Sequence, residues 1–188
     1  MKINDINTTN KKYQVIYADP PWSYGNKMTG PDKKPCSSAD NHYQTHATSD
    51  ISKINVQNLA DDDCLLFMWT SSPHMEQAME LMRKWGFEYK TVAFVWDKQA
   101  INPGFYTMSR CELCLVGKKI GGKIPRPRGA RNVRQFISEK RGRHSAKPTE
   151  IRKRINEMFP TQDKIELFAR NTEPGWDCWG NEAPEDEE

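Results

Sequence analysis

Short apolar runs, separated by polar or amphipathic stretches, recur along most of the chain. Five of these runs are rich in β-branched and aromatic residues, which predicts buried strands. They occupy residues 13–18, 64–69, 91–96, 112–117 and 164–169. Each run is far shorter than the stretch of about 20 apolar residues that a membrane-spanning helix needs.

Two stretches instead carry apolar residues at helical spacing. The first is predicted to be capped by Ser72 and to stop at Gly86, with Pro73 in its first turn. The second is predicted from about Pro148 to Phe159. Strands that alternate with helices predict an α/β fold, in which a mostly parallel sheet is flanked by helices.

The stretches without such patterns predict loops and a tail. Residues 23–46 are rich in Gly, Pro, Lys, Ser and Asn, which predicts a long loop of functional interest. A short helix is expected to begin after it, near Ser49 or Asp50. The length suits a single domain over residues 1–182, followed by a disordered acidic tail at 183–188.

Cysteine usage bears on the compartment and on metal binding. An odd number of cysteines at irregular spacing argues against a disulfide framework and favours a reducing, cytoplasmic environment. Two of them form a lone Cys-x-x-Cys without a second pair or suitably spaced histidines, so no metal site is predicted. The five cysteines are Cys36, Cys64, Cys111, Cys114 and Cys178.

Positive charge is concentrated in one segment. The whole chain has a formal net charge of +3, but residues 118–154 contain fourteen Lys or Arg and only two acids, a sum of +12. The rest of the chain therefore carries −9. A surface this basic suits a polyanion such as nucleic acid, although a solvated charged loop fits the same composition.

The sequence Asp19-Pro20-Pro21-Trp22 directly follows the first predicted strand. Ligands of open α/β sheets bind beyond the carboxyl ends of the strands, where the prolines would hold the Pro20 carbonyl beside the Asp19 carboxylate. An exposed Trp22 would add a flat face for stacking. Two acceptors beside an aromatic face suit the amine of adenine or cytosine, because accepting its hydrogens frees the nitrogen lone pair. A rigid surface turn is the structural alternative.

Several segments resemble one family of enzymes. Residues 19–22 resemble the catalytic motif of the amino-methyltransferases, and residues 144–151 look like their Lys-Pro motif. Residues 42–51 and 164–182 closely resemble segments of the MT-A seventy family, which includes the messenger-RNA adenine methyltransferases and small phage and bacterial enzymes. The resemblance covers residues 13–182 and implies a Rossmann-like, S-adenosylmethionine-dependent methyltransferase fold.

The resemblance also implies roles at the cofactor. Asp19 is implied to lie near both the target amine and the methionyl end of S-adenosylmethionine, and Lys147 to pair with its carboxylate. Contact with a phosphate is the alternative for Lys147. The chain has no glycine-rich cofactor turn, like the family, which implies binding mainly by side chains. Positions that match the ribose site are Arg170, Asn171, Asn181 and Glu182.

Aromatic and basic residues are candidates for holding the substrate. A base undergoing chemistry must leave its stack, so Tyr24, Tyr43 and Trp96 are expected to join Trp22 in enclosing it. Core packing is the alternative for each, above all for Trp96 at the end of a strand. Phosphate contacts are expected from residues 118–143, in particular from Arg126, Arg128, Arg131 and Arg134.

Together these features predict an enzyme that extrudes adenine from DNA and methylates its N6 amine at specific sites. DNA is preferred because a minimal chain resembles the phage and bacterial members. RNA adenine, the cytosine amine and a non-catalytic nucleic-acid-binding partner subunit remain open. A homodimeric or heterodimeric assembly is compatible with a chain that has no obvious separate target-recognition domain.

Overall fold

The computed structural model describes residues 1–3, 5–22, 51–104, 106–142 and 146–180. These residues form a seven-stranded sheet with helices on both faces, which confirms the predicted α/β class. Its strands are β1 (Tyr13–Ala18), β2 (Ala60–Thr70), β3 (Phe87–Asn102), β4 (Ser109–Lys119), β5 (Phe136–Ser138), β6 (Lys164–Leu167) and β7 (Asp177–Trp179).

The strand order is β5-β3-β4-β2-β1-β6-β7. Four neighbouring pairs are parallel, and only β4 runs antiparallel to both of its neighbours, β2 and β3. The connection from β3 to β4 is too short for a parallel crossover, so it closes a hairpin. Strands β1, β2 and β6 therefore end together at one edge, here called the carboxyl edge, and begin together at the amino edge.

In the part of the chain that the structure describes, two α-helices cover opposite faces of the sheet. Helix α1 (Met75–Lys84) follows a 3-10 turn (Ser72–His74), so Ser72 is the first helical residue and the cap position falls on Ser71, which makes no side-chain cap hydrogen bond. Gly86 has a φ of +81°, and this left-handed conformation explains why the helical stretch stops there, as predicted. Helix α2 (Thr149–Met158) matches the second prediction to within one residue at each end.

Alternation along β1 explains how one strand serves both faces. Ile16 packs in the cluster that contains α1, and Tyr17 packs in the cluster that contains α2. Strand β6 ends at Leu167, two residues before the predicted end, because Phe168 has a φ of +61°. Within the described residues, no helix is long and apolar enough to span a membrane. The predicted start of the short helix near Ser49 or Asp50 lies outside the described residues.

Candidate active site

The Asp-Pro-Pro-Trp turn lies at the centre of the carboxyl edge. Asp19 is the first residue after β1, which pairs with β2 on one side and β6 on the other. The carboxylate of Asp19 lies 2.9 Å from the ammonium group of Lys147, just before α2. Two residues that are 128 positions apart in the sequence, each predicted to act at the cofactor, are thus in direct contact.

Lys147 also contacts a carboxylate that the sequence analysis did not single out. Its Nζ atom lies 3.1 Å from Oε2 of Glu112, and Oε1 of Glu112 lies 3.1 Å from Nζ of Lys98. Four largely buried groups of alternating sign therefore form one row, which we call the charged row: Asp19, Lys147, Glu112 and Lys98. Its formal charges cancel, which offsets much of the cost of burying them.

The charged row keeps Lys147 and Glu112 ionised. Burial alone would lower the pKa of Lys147, but Asp19 and Glu112 more than compensate and raise it above its usual value. Burial would raise the pKa of Glu112, but Lys147 and Lys98 lower it instead. The site therefore presents a fixed ammonium group and fixed carboxylates at the end of β1.

Trp69 supports Lys147 from beneath. The Lys147 ammonium lies 5.6 Å from the centre of the Trp69 ring, within the range of a cation–π contact. The Trp69 indole N–H donates to the hydroxyl of Tyr17 at 2.6 Å, which fixes the orientation of the ring. The floor of the site is thus built by β1 and β2, the two central strands.

Trp22 is buried, whereas the sequence suggested an exposed ring. Only 7% of Trp22 is exposed, and its indole N–H donates to the carbonyl of Trp69 at 2.9 Å. His74 stacks on it, with ring centres 5.8 Å apart and an interplanar angle of 20°. These contacts hold the Asp-Pro-Pro-Trp turn rigidly against β2 and the start of α1, because Pro20 is buried as well.

Trp96 takes the packing role that the sequence left open. Its ring is 1% exposed and meets Trp69 edge-to-face at 6.2 Å. The indole N–H donates to the carbonyl of Glu139 at 2.8 Å, just past β5. Trp96 therefore supports Trp69, and through it Lys147, from within the core. The other two predicted aromatic contacts, Tyr24 and Tyr43, lie outside the described residues.

The end of β6 lies next to Asp19 and carries the predicted ribose residues. Leu167 pairs with Ala18, so Arg170 lies three residues beyond the same edge, half-buried, and Asn171 is exposed. The chain returns closely here, because a Cβ atom on Gly180 would meet the carbonyl oxygen of Ala169 at 2.3 Å. Asn181 and Glu182 follow directly but lie outside the described residues.

These groups fit the ligand that the motifs imply. Asp19 offers a carboxylate, and Lys147 and Arg170 offer cations, within one edge formed by β1 and β6. The amino acid portion of S-adenosylmethionine carries one ammonium and one carboxylate group, and this donor set can pair with both. The ring of Phe168 beside them packs against Trp85 and Trp179.

A second buried ion pair fastens the loop after β6. Arg152 of α2 contacts Glu166 of β6 at 2.7 Å and Glu173 of the loop at 3.3 Å. Burial raises the pKa of Glu166, and the Arg152 charge opposes this. Sequence reasoning missed this cluster because Arg152 lies in another part of the chain and the matched segment at 164–182 assigned no role to Glu166 or Glu173.

The structure divides the predicted phosphate clamp between two places. Residues near Arg126 and Arg128 lie at the amino edge, where the Pro127 carbonyl accepts from Gln162, just before β6. Arg128 is half-buried, with its guanidinium 5.5 Å from the centre of the Phe159 ring. The amide of Ala130 donates to the carbonyl of Glu157, at the last turn of α2. These residues therefore lie at the opposite edge of the sheet from Asp19.

The later part of the basic segment, from Arg134 to Arg141, extends to the carboxyl edge of the sheet. Arg134 is exposed, and its carbonyl accepts from Arg154 of α2 at 2.8 Å. The amide of Arg141 donates to the carbonyl of Lys98 at 3.1 Å, which brings Arg141 and its exposed neighbour Lys140 beside the charged row. Arg131 is exposed and lies in the chain between Ala130, at the amino edge, and Arg134. Sequence reasoning did not single out Lys140 or Arg141.

The sheet and the site together define a class of protein. A mixed α/β sheet with an Asp-Pro-Pro-Trp turn at the carboxyl end of its central strand, and a lysine held against that aspartate, is the arrangement of an amino-methyltransferase. The MT-A70 family model matches residues 13–182. The chain belongs to this family, so the family predicted from the motifs is confirmed.

Relatives agree with this assignment. The chain is 53% identical over 188 residues to the Type II methyltransferase M.MunI of Mycoplasma sp, a match that covers 93% of this chain and 79% of that protein. It is 30% identical over 184 residues to the human N(6)-adenosine-methyltransferase catalytic subunit METTL3, covering 91% and 28%. A putative N(6)-adenosine-methyltransferase MT-A70-like protein of Medicago truncatula is 32% identical over 182 residues, covering 91% and 26%.

The chain thus spans most of the M.MunI protein and about a quarter of the plant and animal relatives. All three relatives are named as methyltransferases, and the predicted enzyme class is confirmed. Membership of the family implies S-adenosylmethionine as methyl donor.

Proposed function

We propose that this chain methylates the N6 amine of adenine in DNA, after the base has left the duplex. The observation that carries the proposal is the contact between Asp19 and Lys147, which puts a carboxylate and an ammonium group at the end of the central strand. Similarity to M.MunI, a Type II methyltransferase, supports DNA over RNA, since the match extends along 79% of that protein.

S-adenosylmethionine supplies an electrophilic methyl group on its sulfonium sulfur. We assign its amino acid portion to Asp19 and Lys147, whose charges match the ammonium and carboxylate groups of a methionine. Arg170 and Asn171, just beyond β6, are assigned to the ribose side, together with Asn181 and Glu182. Glu112 holds Lys147 from the opposite side and keeps it charged.

Asp19 and Pro20 are assigned to the target amine. The Asp19 carboxylate and the Pro20 carbonyl accept the two amine hydrogens, which favours a pyramidal nitrogen with a free lone pair. No strong base is required, since the amine protons become acidic as the nitrogen gains positive charge. Burial of Pro20 and the hydrogen bond of Trp22 hold both acceptors in place before the substrate arrives.

The extruded base needs aromatic neighbours. We keep Tyr24 and Tyr43 as the candidates for stacking on adenine, and we give Trp22 and Trp96 supporting roles because both rings are buried, Trp22 against His74 and Trp96 against Trp69. Pro21 keeps the backbone between the acceptors and Trp22 rigid.

Phosphate contacts are assigned by position. Lys140 and Arg141 lie beside the charged row and would bind phosphates next to the target. Arg131 and Arg134 would follow along the β5 side. Arg126 and Arg128 remain candidates only for a duplex that reaches the amino edge, about 20 Å away across a six-residue strand.

A second candidate function is methylation of RNA adenine, which the similarity to METTL3 favours. A single methyl-transfer experiment separates the two. The chain is incubated with radiolabelled S-adenosylmethionine and with DNA or RNA of matched sequence, and incorporation is compared with that of Asp19→Ala. Asp62→Ala serves as a control because Asp62 is fully exposed at the amino end of β2.

We expect incorporation into DNA by the parent and by Asp62→Ala, and a loss of at least about 100-fold in Asp19→Ala. Preferential labelling of RNA would transfer the assignment to the second candidate. Equal incorporation by Asp19→Ala and the parent would refute the catalytic site. A chain that binds DNA without any transfer would be the non-catalytic partner subunit.

A further inference from the structure

The β3–β4 hairpin projects beyond its neighbours at the carboxyl edge. Strand β2 ends at Thr70, opposite Leu113 of β4, whereas the hairpin pairing continues to Asn102 and Ser109. Ser109 is four residues past Leu113, which corresponds to about 13 Å of strand. The end of the hairpin therefore stands clear of the sheet, on the same side as Asp19.

This hairpin tip, residues 98–104 and 106–110, exposes three large apolar side chains. Ile101 is 61% exposed, Tyr106 is fully exposed and Met108 is 68% exposed. A single exposed apolar residue needs no explanation, but three within eight positions, one of them aromatic, form a surface that water solvates poorly. The tip is consequently a candidate for contact with another molecule.

The root of the tip is held in a defined conformation. Asp97 accepts from Arg110 across the hairpin at 3.0 Å, from Ser138 at 2.9 Å and from the amide of Gln99 at 3.0 Å. These contacts, led by the one with Arg110, lower the pKa of Asp97 to about 2. Residues 98–101 bulge opposite Arg110, as strands do where they re-aim a side chain beside a functional site.

The root also belongs to the active site. Lys98 and Glu112 are the two members of the charged row that lie furthest from Asp19 in the row. Ser109 lies three residues from Glu112, about 10 Å along β4. The exposed cations Lys140 and Arg141 lie alongside, since the amide of Arg141 donates to the carbonyl of Lys98. The apolar tip is thus flanked by positive charge and connected to Lys147 through Lys98 and Glu112.

We propose that the hairpin tip is a wedge that inserts Tyr106, supported by Ile101 and Met108, into the DNA duplex at the step that gives up its adenine. This inference rests on the proposed function. Extruding a base costs a few kcal/mol of stacking and pairing. An aromatic side chain that fills the vacated space recovers part of this cost, as apolar wedges do in other proteins that unstack DNA.

The surroundings of the tip favour DNA over a second copy of the chain. Lys140 and Arg141 suit flanking phosphates and would repel the same cations of another copy. The three side chains bury on the order of 500 Å² on one copy, whereas a specific protein interface buries about 600–1,000 Å² of each partner. The tip alone is too small to hold a stable dimer but large enough to occupy one base step.

The test uses Tyr106→Ala, which removes a fully exposed ring and leaves the core intact. Ile120→Ala is the matched control, because Ile120 is 64% exposed but follows β4 at the amino edge. Methyl-transfer rates are measured on duplex DNA, on the same strand alone, and on a duplex with an abasic site opposite the target adenine. Fluorescence of 2-aminopurine at the target position reports extrusion directly.

For Tyr106→Ala we expect a loss of about tenfold on intact duplex, a weaker 2-aminopurine signal, and a change of less than about twofold on the single strand. The abasic duplex should recover most of the lost rate, because its adenine has no partner to leave. Ile120→Ala should match the parent on all three substrates.

Each other outcome counts against the wedge. An unchanged duplex rate, or an equal loss on single strand and duplex, would overturn it. A loss that follows a shift from dimer to monomer in sedimentation would assign the tip to a subunit contact instead. Absence of transfer by the parent to any of the three DNA substrates would overturn the proposed function, and the wedge with it.

Discussion

At the scale of single residues, the site depends on the charge balance of the charged row. Asp19 and Lys147 could be predicted because motifs mark both positions. Glu112 could not, because its stretch of sequence has only the pattern of a buried strand, and its contact with Lys147 arises from pairing between distant parts of the chain. The signal that could have marked Glu112 is a carboxylate in an otherwise apolar strand. Burying a carboxylate is costly unless a cation faces it.

Removing Lys147 should affect binding and stability together. Lys147→Ala is expected to weaken S-adenosylmethionine binding at least tenfold by calorimetry, since the methionine carboxylate loses its cation. It should also lower the free energy of unfolding by about 3 kcal/mol, because Asp19 loses its cation and Glu112 keeps only Lys98. Lys153→Ala, at an exposed position of α2, is the control. Unchanged affinity would return Lys147 to the basic surface.

Glu112 should act on the reaction through Lys147. In Glu112→Gln the ammonium group loses one of the two charges that raise its pKa, so it deprotonates at lower pH. The alkaline limb of the kcat/KM profile should therefore move to lower pH, while the acid limb stays in place. Glu88→Gln, on the exposed side of β3, should leave both limbs unchanged. An unmoved alkaline limb in Glu112→Gln would mean that Glu112 only packs.

At the scale of secondary structure elements, the strands were predictable and their polar extensions were not. Strands β2 and β3 run well past the apolar runs at 64–69 and 91–96, through Asp61 at one end and Asn102 at the other. Cross-strand partners stabilise these extensions, and a reading of apolar runs contains no such information. The protruding hairpin was missed for this reason.

The basic segment shows the same limit. Its charge count indicated a polyanion surface, but a count cannot say that Arg126 and Arg141 lie at opposite edges of a sheet. Only the hydrogen bonds of residues 127–130 to the end of α2 and to Gln162 reveal the division. The position of Lys140 and Arg141 beside the charged row therefore gives a sharper expectation than composition did.

The two ends of the basic segment should respond differently to duplex length. Lys140→Glu with Arg141→Glu should weaken binding even to a duplex of about 10 base pairs centred on the target adenine, and should reduce the slope of log K against log salt by about 2. Arg126→Glu with Arg128→Glu should affect only longer duplexes, because about six base pairs separate the two edges at 3.4 Å each. Equal effects of both pairs on the short duplex would contradict this arrangement.

At the scale of the whole molecule, the folded state depends on ionised carboxylates. Asp97, Glu112 and Asp177 all have a lowered pKa, Asp97 through Arg110 and the other two through lysines that overcome their burial. A carboxylate with a lowered pKa stabilises the fold above its unfolded pKa, and this contribution disappears as the pH falls through the folded value. Glu166, whose pKa burial raises, acts in the opposite direction.

Stability should therefore fall with acidification between about pH 4.5 and pH 2. The urea midpoint is expected to be constant from pH 7 to pH 5 and to decrease steadily below pH 4.5. Asp97→Asn should lower the midpoint at pH 7 and flatten its decrease near the pKa of about 2 that Asp97 has in the folded state. A midpoint independent of pH down to 2.5 would show that these carboxylates do not support the fold.

The α/β class and the family could both be predicted from sequence, because strand periodicity and four collinear motifs are visible in the order of the residues alone. The orientation of Trp22 could not, since burial against His74 depends on where α1 begins. We place the methylation of the adenine amine of DNA at the end of β1.

Nucleoside mass spectrometry tests that claim most directly. Duplex DNA is incubated with S-adenosylmethionine and either the parent chain or Asp19→Asn, which keeps the shape of the side chain and removes its charge. We predict N6-methyl-2′-deoxyadenosine from the parent and at least about a 100-fold reduction from the variant. Methylated cytosine, or equal N6-methyl-2′-deoxyadenosine from both proteins, would contradict the account.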